Sequence, residues 1–289
     1  MGGAVRMSAN QATMIDRKKL IRWSSFTAYF IVVFLFFLVF LLPYDRVKGR
    51  LESEVRTRTP LELSIARISP RFLNRFSLED IVLSDREGRV LFESPRMHAH
   101  ISLFKILVGL ASVDVNGKAY GGDLTVRTEQ GAKRRFLSVN AADLDLGSYS
   151  LFRTLGLKLS GRLGGTFELT DDTGRGKVSV KDFTSRDLTV QGFKIPDLDF
   201  ERCWVEVDLK GDRCTIRKLE LDGKDLKVRV SGDVVMRPQG MVNLAIRLKP
   251  SERIAHEQAA LLSLLKNKDA EGYYLFSLGG TMASPIPRL

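Results

Sequence analysis

The sequence predicts a mainly β protein: one N-terminal transmembrane helix followed by a long antiparallel sheet with a few short helices. Three observations predict it. Trp23 to Leu42 reads WSSFTAYFIVVFLFFLVFLL and holds no charged residue. At about 1.5 Å rise per residue, a helix of this length spans the ~30 Å hydrocarbon core of a bilayer. From Leu61 onward apolar and polar residues alternate with a period of two, the pattern of strands with one dry and one wet face. Clusters of Gly, Asp, Asn and Pro break those runs at short intervals and read as turns.

The first 22 residues carry Arg6, Arg17, Lys18, Lys19 and Arg22 against Asp16, and read as a cytoplasmic tail. A signal peptide has an apolar core of about 7–15 residues and then a small-residue cleavage site. Here the core is longer, and Leu41-Leu42-Pro43-Tyr44 offers no such site. Trp23–Leu42 is therefore expected to be an uncleaved anchor, with Trp23, Phe26, Phe30, Phe34, Phe37 and Leu42 among its apolar residues. Arg6 stands where a myristoylation motif needs Ser or Thr. The basic excess before the span exceeds that after it (Arg46, Lys48 and Arg50 against Asp45 and Glu52). This places the N-terminus in the cytoplasm and the large remainder across the membrane.

Residues 44–58 read as a short charged helix with Val47, Leu51 and Val55 as a narrow apolar stripe, ended by Thr59-Pro60. Residues 43–60 thus form a membrane-proximal linker, and 61–289 a β-rich domain. Alternation is strict in 61–65, 96–103, 203–210, 226–231 and 242–249, and about a dozen strands are expected. Turns are expected at Asp85–Gly88, Asn116-Gly117, Gly121–Asp123, Asp171–Gly174, Lys210–Asp212, Asp222-Gly223 and Pro238–Gly240. Short helical turns are expected over 102–110 and 145–155. A longer helix is expected over Ser251–Lys266, with Ser251 as its N-cap. Cys203 and Cys214 read as two small buried residues. An exported location permits a disulfide between them, but a turn at Lys210–Asp212 sets Cys214 opposite residues near 208 rather than opposite Cys203, which favours two separate thiols.

The residues that could carry chemistry are few. The 289-residue chain has three histidines. His98 and His100 share a strand face, but no supporting ligand stands at metal-site spacing, so they read as a solvated face. Gly161–Gly165 and Gly174–Lys177 lack the P-loop pattern and read as β-turn glycines. There is no G-x-S-x-G and no H-E-x-x-H. No enzyme activity, cofactor or metal is expected. The net charge of +11 suits anionic head groups or acidic partners. Its one tight run, Lys133-Arg134-Arg135, reads as solvated or as a head-group or partner contact. Exposed aromatics do not interleave with it, which argues against nucleic acid.

Three passages carry a resemblance. The first is FSLEDIVLSDREGRVLFESPRMHAHISLFKILVGLASVDVNGKAYGGDLTV, and the second is LDLGSYSLFRTLGLKLSGRLGGTFELT. The third is the ending, FSLGGTMASPIPRL, with Gly280, Thr281 and Pro285 in a closing hydrophobic-x-G-[ST]-hydrophobic-x-x-P pattern. Together with the length and the single anchor, they resemble the type II secretion system protein N family, related to AsmA-like envelope proteins. The resemblance implies an inner-membrane protein of a Gram-negative cell with residues 61–289 in the periplasm. It implies an accessory, non-catalytic part of a machine that exports folded proteins, in contact with other components of that machine. It also implies an elongated, curved sheet, a groove or half-barrel whose apolar inner surface suits acyl chains. The alternative it leaves open is a module that binds or transfers phospholipid.

Overall fold

A computed structural model describes residues 44–288, apart from 73, 188, 191, 192, 195, 238, 264, 266 and 283. The anchor expected over Trp23–Leu42 lies outside the described residues. Among the described helices none is long and apolar enough to cross a membrane.

The chain begins with helix α1 (Tyr44–Arg58) and then runs as a meander. Its strands are β1 (Leu61–Phe72), β2 (Arg75–Asp85), β3 (Val90–Ile101), β4 (Ala111–Ala119), β5 (Gly122–Gln130), β6 (Arg135–Asp145), β7 (Lys158–Thr170) and β8 (Thr173–Arg186). A small hairpin, β9 (Thr189–Val190) with β10 (Phe193–Lys194), stands apart. The main path resumes with β11 (Leu198–Lys210), β12 (Arg213–Gly223), β13 (Leu226–Val235), β14 (Val242–Pro250), β15 (Asn267–Lys268), β16 (Tyr274–Thr281) and β17 (Ser284–Arg288). Fifteen strands form one open antiparallel sheet in nearly sequential order. Short helices interrupt it: α2 (Leu103–Leu107), α3 (Ser150–Thr154), α4 (Glu252–Glu257) and α5 (Ala259–Leu262).

Both free edges are blunted. Helix α1 lies along β1, where the Glu52 carboxylate accepts from the Ile65 N–H at 3.0 Å, a group that an edge strand otherwise leaves open. The helix docks through Tyr44, Lys48, Glu52 and Val55, which are half-buried, while Val47 and Leu51 of the expected stripe stay exposed. At the far edge β17 carries Pro285 and Pro287. Residues 285 and 287 point to one side of the strand and 284, 286 and 288 to the other. The prolines cannot donate to β16, so they occupy the outward side, and that edge has no N–H there to recruit a further strand.

Several expectations need correction. Asn116-Gly117 is not a turn but the middle of β4; a Cβ at Gly117 would meet the Arg96 carbonyl at 2.6 Å, so the glycine serves close strand approach. The glycines at 161–165 and 174–176 also lie inside β7 and β8 rather than in turns. A Cβ on Gly176 would meet Phe167 at 3.1 Å and Val207 at 2.9 Å, so the bare position leaves room for those side chains. The helix expected over Ser251–Lys266 breaks after Glu257 and ends at Leu262. Ser251 does cap it, accepting from Ile254 N. Among the residues described there, Ile254 is the buried one, and short helices hold chiefly by packing. Cys203 and Cys214 are free thiols, paired across the sheet with Leu221 and Leu209. Cys203 is buried, Cys214 only half so.

The wet face is laced with cross-strand ion pairs, among them Arg96–Glu79, Lys177–Glu206 and Arg175–Asp208–Arg217. Near β13 and β14 the like-charged neighbours Arg229 and Arg247 are kept together by a clamp. The Tyr273 ring, almost fully buried, receives Arg229, Arg247 and Lys249 within 5.0–5.6 Å, and Arg247 pairs with Asp269 and Glu271. Desolvation opposes ionisation of Asp269, but hydrogen bonds from Tyr273 N and Arg247 outweigh it and hold the carboxyl below its ordinary value. A lowered carboxyl contributes fully above the ordinary carboxylate range, near ~4, and its contribution is lost as pH falls through its folded value. Asp269→Asn should therefore speed proteolysis of the 251–273 connection at neutral pH, and the unmodified chain should show the same change only at acid pH. Equal cleavage rates for both proteins at neutral pH would count against the clamp.

Candidate functional site

The feature that stands out is the other face of the sheet. Register places one row of residues across thirteen strands: Ile68, Leu78, Met97, Gly117, Leu124, Ala141, Gly165, Val178, Val205, Leu219, Val230, Ile246 and Phe276. None is polar. At about 4.8 Å between strands the row runs roughly 58 Å, nearly twice the hydrocarbon thickness of a bilayer. Parallel rows are similar: Val139, Phe167, Gly176, Val207 and Ile216 are successive partners on one side, and Leu163, Val180, Cys203, Leu221 and Val228 on the other.

No second layer of the described residues covers most of this face. Val126, Val139, Phe167, Val178, Val205, Leu219, Val230, Ile246 and Phe276 are half-buried rather than buried. Neighbouring strands bring such side chains to about 5 Å, so they shield one another without an opposing sheet. Full burial is confined to patches, chiefly Ile65, Ile81 and Met97 with their neighbours, and Val180, Leu198, Phe200 and Cys203. The thirteen-strand row with its two five-strand neighbours, at about 7 Å between rows, has a footprint on the order of 650 Å². That is as large as the largest apolar patches of ordinary soluble monomers, about 300–600 Å².

One insertion does lean over the face. The connection from β6 to β7 carries Tyr149, whose hydroxyl donates to the Leu91 carbonyl at 2.6 Å. Tyr149 and Tyr120 stack edge-on between Phe152 and Phe92. Burial raises the pKa of both tyrosines, keeping them neutral.

The strand ends form two rims. One holds the β1–β2, β3–β4, β5–β6, β7–β8, β11–β12 and β13–β14 connections; the other holds those between. Lys133 and Arg134 lie exposed in the β5–β6 turn and Arg135 opens β6; the Arg135 N–H donates to Asp171. On the wet face at the same rim an open depression of about 760 Å³ is lined by Arg71, Arg75, His98, His100, Asp114 and Arg127. His98 and His100 do share a face, as their spacing required. Asn74 holds His100 at 2.8 Å, and Asp114 pairs with Arg127 at 2.5 Å. No group of three or more metal ligands occurs among the described residues. Gly280, Thr281 and Pro285 form the last hairpin. Gly280 has φ +89° and pairs with Pro285, and Thr281 Oγ1 accepts from Ser284 N at 3.2 Å. Their role here is to turn the chain. The basic depression escaped sequence reading because Arg75, His100, Asp114 and Arg127 meet only through the register of four strands.

No family model, no curated protein and no solved structure matches this chain.

Proposed function

We propose that the chain is a membrane-anchored protein of the bacterial envelope whose apolar sheet face holds the acyl chains of phospholipid, without catalysing a reaction. The observation that carries this reading is the thirteen-strand apolar row with no covering layer among the described residues. A soluble body cannot leave such a surface to water; the hydrophobic term favours any apolar occupant at about 25 cal/mol per Å² removed from water. The anchor read in Trp23–Leu42 supports a supply of such occupants. In this reading Trp23, Phe26, Phe30, Phe34, Phe37 and Leu42 lie in the inner membrane, residues 1–22 are cytoplasmic and 61–289 periplasmic. The sheet curves into a groove or half-barrel around its ligand.

The test uses neighbours on one strand. A photo-crosslinking amino acid at Val178, on the apolar face, should yield phospholipid adducts in cells. The same probe at Lys177, on the wet face, should not. Equal yields from the two positions would sink the proposal.

A second reading has support in the three passages that resemble the type II secretion system protein N family. In it this body serves as an accessory part of the secretion machine and touches other components through its rims. Undiminished export of folded proteins after deletion of the gene would count against it.

A further inference from the structure

Exposed large apolar side chains are not spread evenly over the rims. The β3–β4 connection, with α2 at its centre, holds four of them: Leu103, Phe104, Ile106 and Val108, with Phe104 78% and Val108 69% exposed. A five-residue helix that needed only to cross between strands would turn such side chains inward. Here Phe104 and Val108 stand open, and Leu103 and Ile106 stay exposed beside them.

Two further observations say what covers them. The first is where the chain before Tyr44 must go. Helix α1 runs antiparallel to β1, because Arg58 leads into the start of β1 at Leu61, while the Tyr44 ring reaches Phe76 at 6.2 Å. Phe76 pairs with Ala99, and α2 begins four residues after Ala99. The 43 residues that precede α1, with their uncharged stretch Trp23–Leu42, therefore leave the body at the rim that carries α2. The second is charge. The α2 connection touches the β5–β6 turn: Lys105 pairs with Glu129, and a Cβ on Gly131 would meet Leu110 at 3.1 Å. That turn presents Lys133 and Arg134. Arg71 and Arg75, exposed beside the 760 Å³ depression, flank the other side. None of these four makes an ion pair with a described residue. Several acidic groups of the neighbourhood are engaged: Asp171 caps Arg135 N, Asp114 holds Arg127, and Glu129 holds Lys105. Asp172 in the β7–β8 turn, Glu168 near it and Asp45 beside Tyr44 are acidic side chains without an ion pair to a described residue.

We propose that the α2 connection is a second membrane contact of this protein: Leu103, Phe104, Ile106 and Val108 enter the interface of an anionic bilayer beside the anchor, with Arg71, Arg75, Lys133 and Arg134 on its head-group phosphates. An apolar tip ringed by cations is the composition that interfacial elements use, combining apolar burial with attraction to anionic lipid. Two attachment points fix the tilt of the sheet, where the anchor alone would leave it free to pivot. The exposed Met236 and Met241 of the β13–β14 turn are not part of the contact. Eight strand steps separate β4 from β14 along the sheet, and a twist of about 20–25° per step turns that part of the rim roughly 160–200° away.

The inference rests on the anchored reading but not on lipid occupancy of the apolar face, and the experiment separates them. The full chain, with Cys203→Ala and Cys214→Ala, is reconstituted in vesicles of phosphatidylethanolamine and phosphatidylglycerol that contain nitroxide-labelled lipid. An environment-sensitive fluorophore is placed at Phe104→Cys, at Leu155→Cys on the opposite rim, or at Asp45→Cys next to the anchor. Quenching at 104 should exceed that at 155 at least three-fold. It should fall by half or more when Lys133→Glu and Arg134→Glu are added, or when the vesicles are made of phosphatidylcholine alone. Quenching at 45 with none at 104 overturns the second contact and leaves the anchor standing. A fluorophore at 104 that is shielded from water but unquenched marks a protein surface and overturns it too. No quenching at 45 or 104 overturns the anchored reading with it.

Discussion

Gly232→Val should unravel the C-terminal third of the sheet and leave the N-terminal third folded. Gly232 has φ +140°, a conformation that L side chains rarely adopt. A Cβ there would lie 2.1 Å from the Asn243 carbonyl oxygen and 2.9 Å from Leu244 Cα, so it points along the sheet into the backbone of β14. Backbone strain costs about 1–3 kcal/mol and overpacking about as much again. Neither can relax by moving a flexible side-chain end, because the obstacle is main chain. The damage should stay local because strands contact chiefly their ladder neighbours. An array with only nearest-neighbour interfaces loses stability segment by segment. Hydrogen exchange should show amides of β13, β14 and β16 losing at least a hundred-fold in protection, with β2 to β5 unchanged. Uniform loss across the chain would show that the sheet unfolds as one cooperative unit.

The same one-dimensional build explains what could be read from sequence. A meander whose strands pair in order needs only alternation and turns, both local signals, so the β class and the short helices at 103–107 and 150–154 were legible. Alternation misleads where the chain skips a residue. Leu78 and Ile81 share the apolar face three positions apart, as do Ala141 and Leu144. Between them lie Asp80 and Asp143 with φ near +50°, a region that Asp tolerates better than most residues. Such a kink reads in sequence as a broken strand. Gly117 was misread for a related reason: Asn-Gly signals a hairpin, but here the glycine is needed for what faces it on β3. The residues read in sequence as an anchor, Trp23–Leu42, lie outside the described residues. The basic depression was hidden, because four residues from Arg75 to Arg127 meet only after register is known. The exposure of Phe104 and Val108 was hidden as well, since an apolar turn looks the same in sequence whether it points in or out.

Val205→Glu is the substitution that separates an open apolar face from a packed core, and its two expected effects run in opposite directions. Val205 sits mid-row between Val178 and Leu219, half-buried. With the face uncovered, the new carboxylate reaches water, and the folded protein loses only part of the burial of one valine, about 1 kcal/mol. In a filled core the same charge would cost several kcal/mol or be forced to protonate. The ligand should respond far more strongly than the fold. A carboxylate set against hydrocarbon costs about 2.5–3.5 kcal/mol on membrane-insertion scales, which at ~1.4 kcal/mol per decade lowers occupancy at that level ten-fold or more. Phospholipid adducts from a photo-crosslinker at Val178 should fall by at least that factor, while hydrogen-exchange protection of β8, β11 and β12 stays within a few-fold of the parent. Loss of adducts with collapse of protection would mean that the valine belongs to a closed core. Unchanged adducts with unchanged protection would mean that acyl chains do not use this part of the face.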